Sequence, residues 1–160
     1  MFDFLDFITD IKNRLKPVTF SESIIRVWID YYTAYFLEEM SAESRETFSE
    51  LCFSEWTGSK SERSSVSLKA KSFEECADYI SHIISAYCKD KLKERLIMAH
   101  RMSVSGYSVD GIARSIGCNL LFTTELLDNH RHVAERIFRA EKENEQFFSS
   151  KGYKNILAIR

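Results

Sequence analysis

Helix-breaking residues are scarce in this sequence, and their scarcity limits the folds open to it. The chain has one proline and five glycines among 160 residues, so few positions interrupt a helix. Apolar residues make up 44 %, including twelve Phe, seven Tyr and two Trp, which is enough material for a buried core. We therefore expect an all-α fold, a compact bundle of about five to seven helices, with residues 1–160 forming a single domain.

Apolar side chains recur at three- and four-residue steps along most of the chain, which indicates amphipathic helices. The spacing predicts helices over residues 2–15, 21–40, 41–56 and 129–149. The segment 21–40 is apolar around most of its girth, so we expect its helix to lie at the centre of the bundle. A fifth helical pattern covers 72–104, and we expect it to break or bend near Lys89, because such a run is long for a globular helix.

Two segments differ in composition from these helices. Residues 58–71 are dominated by serine and charged side chains and are expected to form a flexible loop, within which Val66, Leu68 and Ala70 alternate as in a short strand. The tail 153–160 is apolar for a chain end, and we expect it to fold against the body or against another subunit.

Charge divides the chain into two halves. Residues 1–86 carry 9 basic and 15 acidic side chains, a net of −6, whereas residues 87–160 carry 13 and 9, a net of +4. Such asymmetry is typical of a chain with an anion-binding segment. We therefore distinguish an acidic helical half, 1–86, from a basic half, 87–150.

The sequence contains no pattern that identifies an enzyme or a metal site. It has no phosphate-binding glycine loop, no GxGxxG and no HExxH motif, and its four cysteines (Cys52, Cys76, Cys88 and Cys118) and four histidines show no zinc-ligand spacing. A Cys–His nucleophilic pair stays open. With no apolar run long enough to span a bilayer and an acidic N-terminus, we expect a cytoplasmic, non-enzymatic protein without cofactors, with reduced thiols and no membrane contact.

Two short helices separated by a glycine turn are predicted in the basic half. Gly106 and Gly117 suit the left-handed conformation that ends a helix, and Ser108 and Asn119 are placed to cap the helices that follow them. Between them, Ile112, Ala113 and Ile116 form an apolar face, and Phe122, Leu126 and Leu127 form another. The small side chain of Ala113 permits a steep helix crossing.

This segment, residues 106–127, resembles the minimal helix-turn-helix of transposase-like and small bacterial or phage regulatory proteins. The matching residues are Gly106, Tyr107, Ser108, Ile112, Ala113, Ile116, Gly117, Cys118 and Leu126. Thr123 departs from the pattern, which has an apolar residue there. No match extends over the whole chain.

The resemblance implies that the second helix enters the major groove of double-stranded DNA. Its outward residues would be Asn119, Leu120, Leu121, Thr124, Glu125 and Asp128. Asn119 and Thr124 suit base edges, whereas Glu125 and Asp128 repel phosphates. The residues expected to bind DNA are Arg95, Arg101, Arg114, Asn119, Thr124, Arg131 and Arg136. A continuous basic surface around Arg95, Arg114 and Arg131 would favour this interpretation, and its absence would favour a protein partner.

The leading hypothesis is thus a small DNA-binding protein of transcription regulation, bacterial or phage in type. The alternative is a protein–protein interaction module (an adaptor, chaperone, inhibitor or immunity-type protein) in which the two short helices are only a structural corner. Its partner, or a second copy of the chain, would bind through the acidic helices or the apolar C-terminal tail.

Overall fold

Six α-helices account for most of the residues that the computed structural model describes, which are 18–58, 65–66 and 73–150. The helices are α1 (Glu22–Phe36), α2 (Ala42–Gly58), α3 (Phe73–Val104), α4 (Val109–Ile116), α5 (Leu120–Asp128) and α6 (His130–Ser150). Two short strands, β1 (Val18–Thr19) and β2 (Ser65–Val66), pair antiparallel, with Val18 opposite Val66. The predicted all-α bundle is confirmed.

Three sequence predictions fall mainly on other parts of the chain. The N-terminal helix over 2–15 and the tail 153–160 lie outside the described residues. Of the predicted loop 58–71, the structure describes Gly58, where α2 ends, and the β2 strand.

The central helix of the described bundle is α3, which contacts α1, α4, α5 and α6. The prediction that gave this place to the helix over 21–40 is wrong. That helix, α1, begins at the cap Ser21 and buries Ile25, Ile29, Thr33 and Phe36 on one face. Its opposite face leaves Val27 and Tyr31 exposed. Several apolar residues of α1 are thus on the surface. An apolar sequence around most of a helix does not by itself place that helix at the centre of the bundle.

The predicted break near Lys89 is also wrong, because α3 is one continuous helix of 32 residues. The charged residues in its middle pair with neighbouring helices instead of facing water at a break. Lys89 is buried and lies 3.6 Å from Glu141 of α6, and Lys91 lies 2.8 Å from Glu55 of α2. Because these lysines form ion pairs with carboxylates of neighbouring helices, the helix can continue through the bundle.

Aromatic contacts in the core join the acidic half of the chain to the basic half. The rings of Phe48 on α2 and Phe122 on α5 stack with centroids 5.6 Å apart. Tyr79 on α3 and Phe148 on α6 meet edge to face at 5.7 Å. Phe48, Phe122 and Phe148 are fully buried, and aromatic pairs of this kind stabilise a core beyond the area they bury.

Candidate nucleic-acid interface

The first short helix, α4, forms as the sequence predicts. The Ser108 side chain caps it by accepting a hydrogen bond from the Gly111 amide at 3.2 Å. Asp110 lies in the first turn, where a negative charge is favourable. Ile112, Ala113 and Ile116 are buried and pack α4 onto the bundle.

The turn after α4 consists of Gly117, Cys118 and Asn119. Gly117 has φ +69° and ψ +35°, the left-handed conformation that glycine adopts without strain. The Cys118 amide donates to the carbonyl of Ala113 at 3.0 Å, which satisfies one of the last carbonyls of α4. Asn119 then caps α5 by accepting from the Phe122 amide at 2.8 Å. Local backbone chemistry therefore fixes where α5 begins.

The second short helix, α5, is anchored by Phe122, Thr123 and Leu126, all buried. Thr123 is the residue that departs from the helix-turn-helix pattern. Its hydroxyl donates to the carbonyl of Asn119 at 2.8 Å, so the buried oxygen is satisfied. A threonine therefore fits at this apolar position.

The outward side of α5 carries mixed chemistry. Leu120 and Leu121 are 51 % and 39 % exposed, and Thr124 and Asp128 are exposed beside them. Thr124 donates its hydroxyl to the carbonyl of Leu120 at 2.9 Å, and its oxygen can still accept a hydrogen bond.

Glu125 was predicted to lie on this outward side, but its carboxylate is directed to α2. It accepts hydrogen bonds from the Ser41 amide at 3.1 Å and the Ser41 hydroxyl at 3.0 Å. Burial alone would raise the pKa of Glu125, but the hydrogen bonds that its carboxylate accepts from Ser41 oppose burial, and the pKa is lowered. One of the two acids expected to repel phosphates is therefore hydrogen-bonded to Ser41 of the same chain.

Two of the predicted DNA-binding arginines also make contacts within the protein. The Arg95 guanidinium donates to the carbonyls of Ile116 and Lys91, each at 3.1 Å, and lies 3.7 Å from Glu55. Arg136 pairs with Glu39 and, at 3.0 Å, with Glu38. Both side chains are only 15 % exposed. The expected basic surface therefore does not extend continuously through Arg95.

The other three predicted arginines remain on the surface. Arg101, Arg114 and Arg131 are exposed, and within the described part of the chain none of them makes an ion pair. Arg114 donates weakly to the carbonyl of Asp110 at 3.4 Å. Exposed guanidinium groups without a carboxylate partner can bind phosphate.

A histidine pair joins the basic residues at the start of α6. The rings of His100 and His130 stack with centroids 4.2 Å apart, next in sequence to Arg101 and Arg131. Burial lowers the pKa of His130, and the neighbouring His100 and Arg131 lower it further. No sequence pattern indicates this pair, because the two histidines meet only when α3 and α6 pack together.

A groove of about 910 Å³ lies between α3 and α4 and was not predicted either. It is lined by Glu94, Ile97, Met98, Arg101, Met102, Tyr107 and Ser115. Residues 94, 97, 98 and 101 follow helical spacing, a signal that was present in the sequence. Apolar residues at helical spacing are normally expected to face a core. In this helix Leu92, Leu96 and Ala99 face the core, and Ile97 and Met98 line the groove.

The thiols of Cys88 and Cys118 have pKa values above the ordinary value of a cysteine. Hydrogen bonding to Cys52, together with burial, raises the pKa of Cys88 well above its usual value. Burial raises the pKa of Cys118 as well, with Arg95 opposing it. A reactive cysteine needs a lowered pKa. Among the described residues, no group of three or more His, Cys, Asp or Glu side chains is arranged to hold a metal ion.

Comparisons with protein-family models, with curated proteins and with solved structures found no match to this chain. None of the helices in the described ranges has an apolar stretch of the length that a bilayer crossing needs. The fold therefore assigns this chain to the class of all-α bundles. Two short capped helices lie on one side of the bundle.

Proposed function

We propose that this chain is a small cytoplasmic regulatory protein that binds double-stranded DNA through α4 and α5. In this proposal α5 enters the major groove, as the second helix of a helix-turn-helix does. Arg114 and Arg131 contact phosphates on either side of it. The side chains best suited to base edges are Asn119, whose oxygen caps α5 and whose amide nitrogen can donate, and Thr124 on α5.

One observation carries the proposal. The Gly117 turn presents α5 with its N-terminus and one face outward, close in sequence to arginines that are exposed and have no carboxylate partner among the described residues. Elsewhere in the described chain such charges are mostly neutralised, as Arg95 and Arg136 are. The orientation of Glu125 also supports the proposal, because its carboxylate is directed toward Ser41 at the start of α2.

The test is a DNA-binding titration of the full chain on mixed duplex fragments at several salt concentrations. We expect binding at low salt that weakens as salt rises, because phosphate contacts release counterions. The variant Arg114→Glu with Arg131→Glu should bind more weakly at every salt concentration. Its slope of log affinity against log salt should fall by about two, roughly one for each arginine that no longer binds a phosphate.

The control variant is Arg139→Glu with Lys142→Glu, which makes the same change in net charge at exposed positions farther along α6. It should retain most of the affinity if the contact is local. Circular dichroism should show equal helicity in all three proteins. The proposal fails if the wild-type chain does not bind at low salt, or if both double variants lose the same affinity.

The second candidate function is a non-enzymatic protein-interaction module. The observation that favours it is the exposure of Leu120 and Leu121 on the outward side of α5, since apolar side chains contribute less to phosphate-rich surfaces than to protein interfaces. In that case the wild-type chain shows no salt-dependent DNA binding, and Leu120→Ser with Leu121→Ser leaves its helicity unchanged.

A further inference from the structure

One strip of the C-terminal part of α3 faces outward. Glu94, Ile97, Met98 and Arg101 follow the i, i+3, i+4, i+7 spacing that places side chains on one face of a helix. Ile97 and Met98 are 39 % and 47 % exposed, and Glu94 and Arg101 stand at the two ends of the strip. The strip is therefore apolar in the middle and oppositely charged at its ends.

The strip forms one wall of the groove between α3 and α4. Tyr107 and Ser115 line the other side, and Met102 contributes to the apolar surface. In the part of the chain that the structure describes, neither Glu94 nor Arg101 has an ion-pair partner. By contrast, Lys91 and Lys93 on the same helix are paired with Glu55 and Glu141. The groove thus has apolar side chains in its middle and a charge without an ion-pair partner at each end.

The strip is self-complementary in charge when two copies of α3 lie antiparallel. Ile97 and Met98 lie midway between Glu94 and Arg101, so an antiparallel second α3 would place each Glu94 opposite an Arg101. The two apolar residues would then meet their counterparts at the centre. A parallel arrangement would instead bring like charges together, which is unfavourable. A two-fold interface requires this kind of self-complementarity.

We propose that two copies of this chain associate through this groove, with their α3 helices antiparallel and Glu94 of each copy paired with Arg101 of the other. The strip is short relative to the interface of a permanent dimer. The dimer is therefore weak, with a dissociation constant on the order of 10 µM. It forms without DNA, so it is measured separately from the proposed DNA binding.

The test is sedimentation velocity of the full chain without DNA, over about 1 to 200 µM, a range that brackets the expected dissociation constant. The wild-type sedimentation coefficient should rise with concentration. Glu94→Lys alone, or Arg101→Glu alone, should weaken the dimer at least tenfold, because each leaves two like-charged pairs. The combined variant Glu94→Lys with Arg101→Glu should regain dimerisation, because both pairs are restored with their signs exchanged.

An equimolar mixture of the two single variants gives an independent check. One variant then has two positive ends and the other two negative ends, so they should form a mixed dimer although neither dimerises well alone. The matched control is Glu143→Lys, an equal charge change at an exposed position of α6 outside the groove, and it should dimerise like the wild type. Thermal melting confirms that every variant is folded.

Each possible result bears on the proposal. A wild-type chain that stays monomeric over the whole concentration range overturns it. So does a dimer that the single charge reversals leave intact, since its contact must lie elsewhere. Loss of dimer in the single variants without recovery in the combined variant or in the mixture overturns the antiparallel register. DNA binding can succeed or fail independently of all these results.

Discussion

At the residue scale, the connection between α4 and α5 depends on the left-handed backbone of Gly117. A Cβ atom at this position would meet no other atom within 4 Å, so nothing but the backbone conformation selects glycine. Gly111 offers the opposite case, because its φ is not in the left-handed region and a Cβ there would lie 3.4 Å from the Ser108 hydroxyl, an ordinary contact.

These two glycines give a matched prediction. Gly117→Ala should lower the free energy of unfolding by about 1 kcal/mol, the cost of a left-handed conformation in a residue with a Cβ. Gly111→Ala should raise it by about 0.5 kcal/mol, because alanine reduces the entropy of the unfolded chain and favours a helix. Urea denaturation of both variants measures the difference. Equal effects of the same sign would contradict the assigned conformations.

His130 predicts a pH dependence of stability. Its pKa in the folded protein lies below the ordinary value of 6.5, so the unfolded chain binds a proton more readily than the folded one. The stability that depends on neutral His130 is therefore full above about pH 6.5 and is lost as the pH falls toward the folded-state pKa. We expect the wild-type midpoint of urea denaturation to fall between pH 7.5 and pH 5.5, roughly the window of histidine titration.

The variant His130→Gln should show a smaller fall over the same interval, because it has no proton to gain at this position. Glu39 and Glu125 do not confound the measurement, since both have pKa values lowered from 4.5 by their partners and lose their contribution below that pH. If the two proteins have the same pH dependence, His130 does not titrate as its surroundings indicate.

At the scale of the elements, Arg95 links three helices through one side chain. It extends from α3 to the C-terminal carbonyl of α4 at Ile116 and toward Glu55 on α2. The position of α4, and hence of α5 after the turn, therefore depends on a guanidinium group that has little exposed surface.

Replacement of Arg95 should accordingly affect stability. Arg95→Ala should lower the free energy of unfolding by about 2 to 3 kcal/mol, because it removes charge-assisted hydrogen bonds to two carbonyls. Arg95→Lys should recover only part of this loss, since an ammonium group cannot reproduce the fork of an arginine. The control Arg139→Ala, at an exposed position, should change stability by less than about 0.5 kcal/mol. Chemical denaturation compares the three, and similar values for Arg95→Ala and the control would show that the Arg95 contacts contribute nothing.

The sequence predicted these elements where local rules determine them. Ser108, Gly117 and Asn119 act on backbone groups within a few residues, so their roles follow from spacing alone. Glu125 could not be placed in the same way, because its partner Ser41 lies on another part of the chain, 84 residues away in sequence. The prediction of a break in α3 failed for the same reason, since the partners of Lys89 and Lys91 are on α6 and α2.

At the scale of the whole molecule, the division by charge does not correspond to a division of the fold. The acidic half, 1–86, and the basic half, 87–150, meet in the middle of α3. Ser85, Ala86, Tyr87 and Cys88 are all buried at that point. The described part of each half therefore contributes side chains to one shared interior, while the surface residues of the two halves differ in charge.

The length of α3 affects how such a protein can tolerate recombination. A helix of 32 residues extends about 48 Å at roughly 1.5 Å per residue, and it supplies core contacts to helices from both halves. A recombination event that exchanged only the basic half would cut this helix where it is most buried. Such an exchange would therefore disturb the shared core, whereas substitutions at exposed positions of α4, α5 and α6 would leave the core contacts of α3 in place.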